Sequence, residues 1–345
     1  MISLFLGSGC IQNSFFPSKI IYEASPTSIS YEITYGYQIQ TTGEGQTTVH
    51  YEDYLPLIQN GSIISIDRIP DTYYQTNLSG NQLITWNQTL ADTSNQSFFV
   101  TTRILQKSIL INDLSGNKSL TLSEIQTQYP SLKAKYCQTL RNDTQLFINP
   151  NHPSISRMAQ HLKNNLSTEN VFIIGKHLFS LLKNHTTYQQ HSSSYPQPAN
   201  VTYETGLGDC DDLTYLYLSL CRSIGIPCRY VKGYLISNTT AIPHVWAELF
   251  VGKEISESGW IPVECAGTGS HQSEIHNHYG IEDCNHLRLC IDDGTNQTFQ
   301  RLNKPINIRY ETTVTVNITR IEEIDKYTIL QSKQLIIHKN NRYFE

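Results

Sequence analysis

An α+β fold is predicted for this chain, with an all-β, sandwich-like region ahead of a core that mixes helices and strands. Three observations point to it. Apolar residues alternate strictly at Ile29, Tyr31, Ile33, Tyr35, Tyr37 and Ile39, the period of a strand with one face buried. Helical spacing then takes over at Ile155, Met158, Ala159 and Leu162, at Val171, Ile174, Leu178 and Leu181, and at Leu213, Leu216, Leu220 and Ile224. After that last helix, HVWAELFV from His244 and GWIPVE ending at Glu264 read as short strands. At 345 residues the chain is long enough for two cores.

Taken in order, residues 1–18 read as a leader. MISLFLGSGC is an apolar run ending in small residues and Cys10, the pattern of a lipoprotein signal in which Cys10 would carry the lipid and anchor the chain to a membrane. Residues 19–150 read as a sandwich-like domain and connector. The alternating strand is followed by a turn at Thr42-Gly43-Glu44-Gly45, a return strand from Thr48 to Tyr51, and strands at Ser62–Ile69, Gln82–Trp86 and Phe98–Leu105. Residues 125–153 look irregular and close on Asn149-Pro150-Asn151-His152-Pro153, where the boundary falls. Residues 151–295 hold the helices and short strands of the core, with a polar loop around Ser192–Ser194, Pro196 and Pro198. Residues 296–345 form C-terminal strands: Ile306 to Ile318 alternates again, and Tyr327–His338 adds a further strand. Their pairing partner is open, either the core sheet or the first domain.

The chemistry concentrates between Gly208 and Glu264. Cys210 sits in GDCDD at the start of a helical pattern, where unpaired backbone N–H groups favour a thiolate. Asp209, Asp211 and Asp212 oppose that by charge, so activation falls to an imidazole. His244 shares a strand face with Trp246, Glu248 and Phe250. An antiparallel hairpin of 244–251 with 260–265 turns near Glu254 and brings Glu264 opposite His244 within a residue or two. A thiol, an imidazole and a carboxylate so arranged make a nucleophile at neutral pH.

These residues resemble the transglutaminase-like superfamily, a branch of the papain-like cysteine enzymes. The match runs through Gly208, Cys210 and Asp212, then Arg222 and GIPCR from Gly225 to Arg229, then Gly233-Tyr234, His244-x-Trp246 with Glu248, and Trp260 four residues before Glu264. It covers about 155–290. The resemblance implies a papain-like or transglutaminase-like core of helices packed on an antiparallel sheet, with Cys210, His244 and Glu264 as the catalytic residues. The family usually has Asp, then Pro, at the third position, and here Glu264 is followed by Cys265. The implied reaction is attack on a peptide or glutamine amide through a thioester acyl-enzyme, with hydrolysis favoured over transamidation because water is always the available acceptor. A catalytically inactive binding or structural surface module is the alternative. One oxyanion donor is the Cys210 backbone N–H; for the second, Tyr188, Gln189 and Tyr203 lie upstream with none assigned.

Composition bounds the partners. A net charge of -5, pI near 6.2 and no basic stripe argue against nucleic acid. Only 16% of residues are charged, and twelve Asn-x-Ser/Thr sequons are present, which suits an extracellular or cell-surface glycoprotein acting on a peptide or protein. No cofactor or metal is expected: Cys265, His271, His276, His278, Cys284, His286 and Cys290 form only a loose cluster without the paired spacing of a zinc site. In an exported chain the cysteines read instead as disulfides, with Cys284–Cys290 the first pair to consider.

Overall fold

The computed structural model describes residues 21–111, 113–137, 147–190, 196–266, 278–292, 306–338 and 341–344. The expected leader with Cys10, and His271 and His276, lie outside the described residues.

The alternating start forms β1 (Ile21–Thr42), and the glycine turn at 43–45 reverses it into β2 (Gln46–Tyr54). Strands β3 (Gly61–Ile69), β4 (Tyr74–Leu78), β5 (Asn81–Ala91) and β6 (Ser94–Lys107) follow. Short β7 (Ile109–Leu110) leads to α1 (Leu122–Gln128) and α2 (Pro130–Cys137). These two helices correct the irregular reading of this stretch. Thr121 and Glu124 form a capping box for α1, and Pro130 opens α2, so the local signals are caps rather than a long apolar stripe.

The core contains α3 (Pro153–Asn165), α4 (Val171–His185), β8 (Thr187–Tyr188), α5 (Ala199–Thr205), β9 (Leu207–Gly208) and α6 (Cys210–Ser223). Strands β10 (Cys228–Ile236), β11 (Ala241–Phe250), β12 (Trp260–Val263), β13 (Ile281–Glu282) and β14 (His286–Asp292) complete it. The alternation from Ile306 to Ile318 is not one strand. It divides into β15 (Ile306–Tyr310) and β16 (Thr315–His338), followed by β17 (Asn341–Phe344). The break has a reason: β15 pairs with β2 and β16 with β1, so the chain steps from one sheet to another. The C-terminal strands therefore return to the first domain.

Two antiparallel sheets, in order β17-β16-β1-β6-β3 and β15-β2-β5-β4, make the sandwich. Ile29, Tyr31, Ile33, Tyr35 and Ile39 are fully buried, as their alternation requires, and Tyr51 stacks on Trp86 with ring centroids 5.2 Å apart. The core sheet runs β12-β11-β10-β14. Its one face packs on α4 and α6 through Leu249, Val251, Leu178 and Leu216. Its other face carries Tyr234, Ile236, Leu287 and Leu289 into the apolar interior of the sandwich. Helices cover one side and the sandwich the other, which is why β11 is buried on both faces from His244 onward.

Polar ties fix that junction along β14. Gln106 of β6 donates to the His286 carbonyl, Leu57 N–H to the Arg288 carbonyl at 2.8 Å, and the Asn81 amide exchanges two bonds of 2.8 and 2.9 Å with the backbone of Ile291. Gly233 permits the tight approach of β10 to β14, since a Cβ there would lie 1.8 Å from the Leu287 carbonyl oxygen. The expected Cys284–Cys290 bridge is not formed, and no disulfide joins any of the seven described cysteines. Cys284 precedes β14 while Cys290 lies well inside it. Four extended residues alone span about 13 Å, beyond the roughly 7 Å reach of a disulfide.

Candidate active site

Cys210 is the first residue of α6. Asp209 caps the helix, its side chain accepting from Asp211 N–H at 3.1 Å, while Asp212 accepts from Asp209 N–H at 3.1 Å. Asp212 also takes the Gln197 N–H at 2.6 Å and its side-chain amide at 3.0 Å, so the loop before α5 is tied to the start of the nucleophile helix. One turn on, Thr214 Oγ1 donates to the Val245 carbonyl at 3.5 Å, linking α6 to the residue beside His244.

Cys210 and His244 line one cavity of about 260 Å³. The core also supplies Asp211, Lys232 and Tyr234 to its wall. The opposite wall comes from the sandwich, with Tyr37, Tyr51, Asp53 and Arg320. Sequence reasoning found nothing chemical in the sandwich; no motif marks these residues, because only the packing of two domains brings them to Cys210.

Glu264 lies just beyond β12, whose register pairs Ala247 with Val263, so the carboxylate arrives beside His244 as the hairpin reading expects. His244 Nε2 donates to Glu264 Oε2 at 2.7 Å. The other carboxylate oxygen accepts the Ala266 N–H at 2.8 Å. Burial works against charge on Glu264, but His244 and hydrogen bonds from His244 and His286 outweigh it and hold the carboxyl well below its usual range. A charged Glu264 only accepts, so the proton sits on His244 Nε2 and Nδ1 is left to receive one.

A second histidine, His286, shares the same oxygen. Its Nε2 lies 3.0 Å from Glu264 Oε2 and its Nδ1 2.7 Å from Asp283 Oδ1. Burial lowers the affinity of this ring for a proton; the charge of Asp283 and the bonds to Asp283 and Glu264 override that and raise its pKa well above the ordinary value. Sequence gave no more than membership of a loose His/Cys group, because His286 reaches Glu264 only through β14. His244, Glu264 and His286 each offer one ligand atom within 4.8 Å of the others, a grouping a cation could bridge, although Nε2 of both rings stands at hydrogen-bond distance from the shared oxygen. Cys265 and Cys284 are buried away from it, and Cys290 lines the cavity shared by Cys210 and His244.

Beneath these groups Trp246 is fully buried, its ring 6.0 Å from His244 and 5.0 Å from His286, with Nε1 donating to Glu282 at 2.9 Å. Arg288 bonds Glu282 and Glu248, and Arg229 bonds the other oxygen of Glu248 at 2.5 Å. Arg229 thus ties β10 to β11 by an ion pair. Arg222 donates to the Cys228 carbonyl at 3.1 Å, and Asp212 serves the cap.

The Cys210 thiol is pushed up, first by burial and then by Asp211, Asp209 and Glu264, so the sulfur rests protonated. Among the upstream oxyanion candidates, Tyr203 stacks on His185 and Gln189 uses its N–H on the Gly208 carbonyl. Tyr188 pairs with Gly208 in the β8–β9 ladder, and its phenol is raised by burial and next by Cys210.

Residues 158–265 match the model of the transglutaminase-like superfamily, a span that contains Cys210, His244 and Glu264. The chain is 22% identical over 275 residues to the uncharacterized protein YebA of Bacillus subtilis, covering 75% of this chain and 33% of that protein. It therefore spans about a third of the length of that curated relative. The crystal structure of a candidate cysteine protease from Cytophaga hutchinsonii is similar in fold, with a TM-score of 0.51 at 14% identity over 88% of this chain and 99% of that one. The periplasmic domain of TgpA from Pseudomonas aeruginosa aligns with a TM-score of 0.35 at 12% identity, over 70% of this chain and 88% of that one. Residues 158–265 thus form a transglutaminase-like domain within an α+β chain.

Proposed function

We propose that this transglutaminase-like domain is a cysteine acyl-transfer enzyme that opens peptide or glutamine amides, with hydrolysis as its main outcome. The observation that carries this reading is the hydrogen bond of His244 to a charged Glu264 on the ring edge away from the nitrogen that would serve Cys210, with Cys210 and His244 on one cavity wall. The thiol rests protonated, so His244 Nδ1 takes the proton as Cys210 Sγ attacks the carbonyl carbon. The tetrahedral intermediate collapses to a thioester when His244 returns that proton to the leaving amine. Water, deprotonated by His244, then attacks the thioester to give the acid and restore the thiol. An amine in place of water would give transamidation. Glu264 keeps His244 in one tautomer and stabilises its charged form. The Cys210 N–H and the Tyr188 hydroxyl are the proposed donors to the oxyanion.

An extracellular or cell-surface location with a peptide or protein substrate fits this reading. Asn60, Asn77, Asn87, Asn95, Asn117, Asn165, Asn184, Asn238 and Asn317 are all exposed, as acceptors of glycans must be. The inactive binding module is the second reading, and the raised Cys210 thiol is the observation that favours it.

The test is turnover of glutamine-containing peptides, with acid and amine products separated by mass spectrometry. Cys210→Ala abolishes turnover, and Glu264→Gln lowers kcat far more than it alters KM. Turnover that survives Cys210→Ala assigns the activity elsewhere, and unchanged kcat in Glu264→Gln removes the carboxylate from the machinery.

A further inference from the structure

Glutamate at the third position carries one more rotatable bond than the aspartate usual in the superfamily that these motifs resemble. A lone hydrogen bond to His244 would leave that freedom largely intact, and ordering a long side chain costs conformational entropy. Here the carboxylate is held by three donors: His244 Nε2 at 2.7 Å and His286 Nε2 at 3.0 Å on one oxygen, and Ala266 N–H at 2.8 Å on the other. His286 is only 7% exposed and is itself held at Nδ1 by Asp283 at 2.7 Å. A ring that donates from both nitrogens to two carboxylates is an imidazolium. Its backbone is fixed from the sandwich side by Gln106 and by the ties along β14 at Arg288 and Ile291.

We infer that His286, braced by Asp283, is a positioning residue that aims Glu264 at His244 and so makes a glutamate usable where the superfamily usually has an aspartate. This rests on the acyl-transfer reading above. His286 lines no part of the cavity shared by Cys210 and His244, so it acts through Glu264 and not on the substrate. Its cation faces Glu264 and Asp283, and the Trp246 ring packs edge-on against it at 5.0 Å.

The experiment uses the full chain and 4-nitrophenyl acetate, following acetylation of the Cys210 peptide by mass spectrometry. Misplacing a catalytic group by about 1 Å costs on the order of 100-fold. His286→Ala therefore lowers the limiting acylation rate about 100-fold while the half-saturating ester concentration stays within about twofold. His286→Gln, whose amide can still donate to Glu264, recovers most of that rate. If His286→Ala does not fold, Asp283→Asn carries the comparison, because it leaves His286 in place with an uncharged brace and is expected to slow acylation. An unchanged rate in His286→Ala or Asp283→Asn, a loss confined to half-saturation, or no recovery in His286→Gln overturns the inference. So does one equivalent of zinc in the purified wild type that disappears in His286→Gln, since the three groups would then be ligands. A wild type that never acetylates Cys210 overturns the acyl-transfer reading itself; acetylation that ignores His286 overturns only its positioning role.

Discussion

Asp211 and His286 sit on opposite sides of one electrostatic balance. The aspartate, after burial, is the largest influence raising the Cys210 thiol, and it also accepts the Tyr230 hydroxyl. Replacing it by asparagine keeps an acceptor for Tyr230 but removes the negative charge. The thiolate then becomes cheaper to form, the thiol pKa falls, and a larger fraction is ionised at any given pH. One pKa unit corresponds to about tenfold more thiolate. Asp211→Asn is expected to speed iodoacetamide modification of Cys210 by about that factor between pH 7 and 8. Equal rates in both proteins would remove the Asp211 charge from the influences on the thiol. On the other side, His244 and His286 hold the Glu264 carboxyl well below its usual range, so the orienting carboxylate stays charged at neutral pH.

β11 and β14 are where structure and chemistry share residues. His244, Trp246 and Glu248 lie on one face of β11, and Arg288 of β14 joins Glu248 and Glu282 in a buried network. Removing Arg288 takes from Glu282 the cation it bonds and leaves Glu248 with Arg229, and breaking a buried pair typically costs about 3–5 kcal/mol. Arg288→Leu should therefore reduce the stability measured by denaturant unfolding by roughly that amount. A loss under about 1 kcal/mol would mean that water reaches Glu248 and Glu282 in the variant. The β11–β12 hairpin was legible in sequence because its strands are short, consecutive and joined by a turn, so counting residues placed Glu264 beside His244. His286 was not, since β14 pairs with β10 and no local spacing encodes that contact. The helices α1 and α2 escaped for a different reason, being too short for periodicity and marked only by their caps.

At the level of the whole molecule, the sandwich is a wall of the candidate site and not a remote spacer. Its strands were readable from the alternation of Ile29 to Ile39, and the order Cys210, His244, Glu264 was readable from motifs. The placement of Tyr37, Tyr51, Asp53 and Arg320 across from Cys210 was not, because it follows from docking the sandwich on the outer face of the core sheet. That docking buries the second face of β11 from His244 onward and walls a cavity of about 260 Å³. Burial strengthens the hydrogen bonds on which the orientation of His244 depends.

The decisive measurement is the site of acylation when the intact chain meets an activated ester. Peptide mapping should find the acyl group on Cys210, forming quickly in the wild type, far more slowly in His244→Ala, and not at all in Cys210→Ala. Acyl groups scattered over lysines, or a Cys210 that remains unmodified while the protein is folded, would mean that these three side chains do not make a nucleophile.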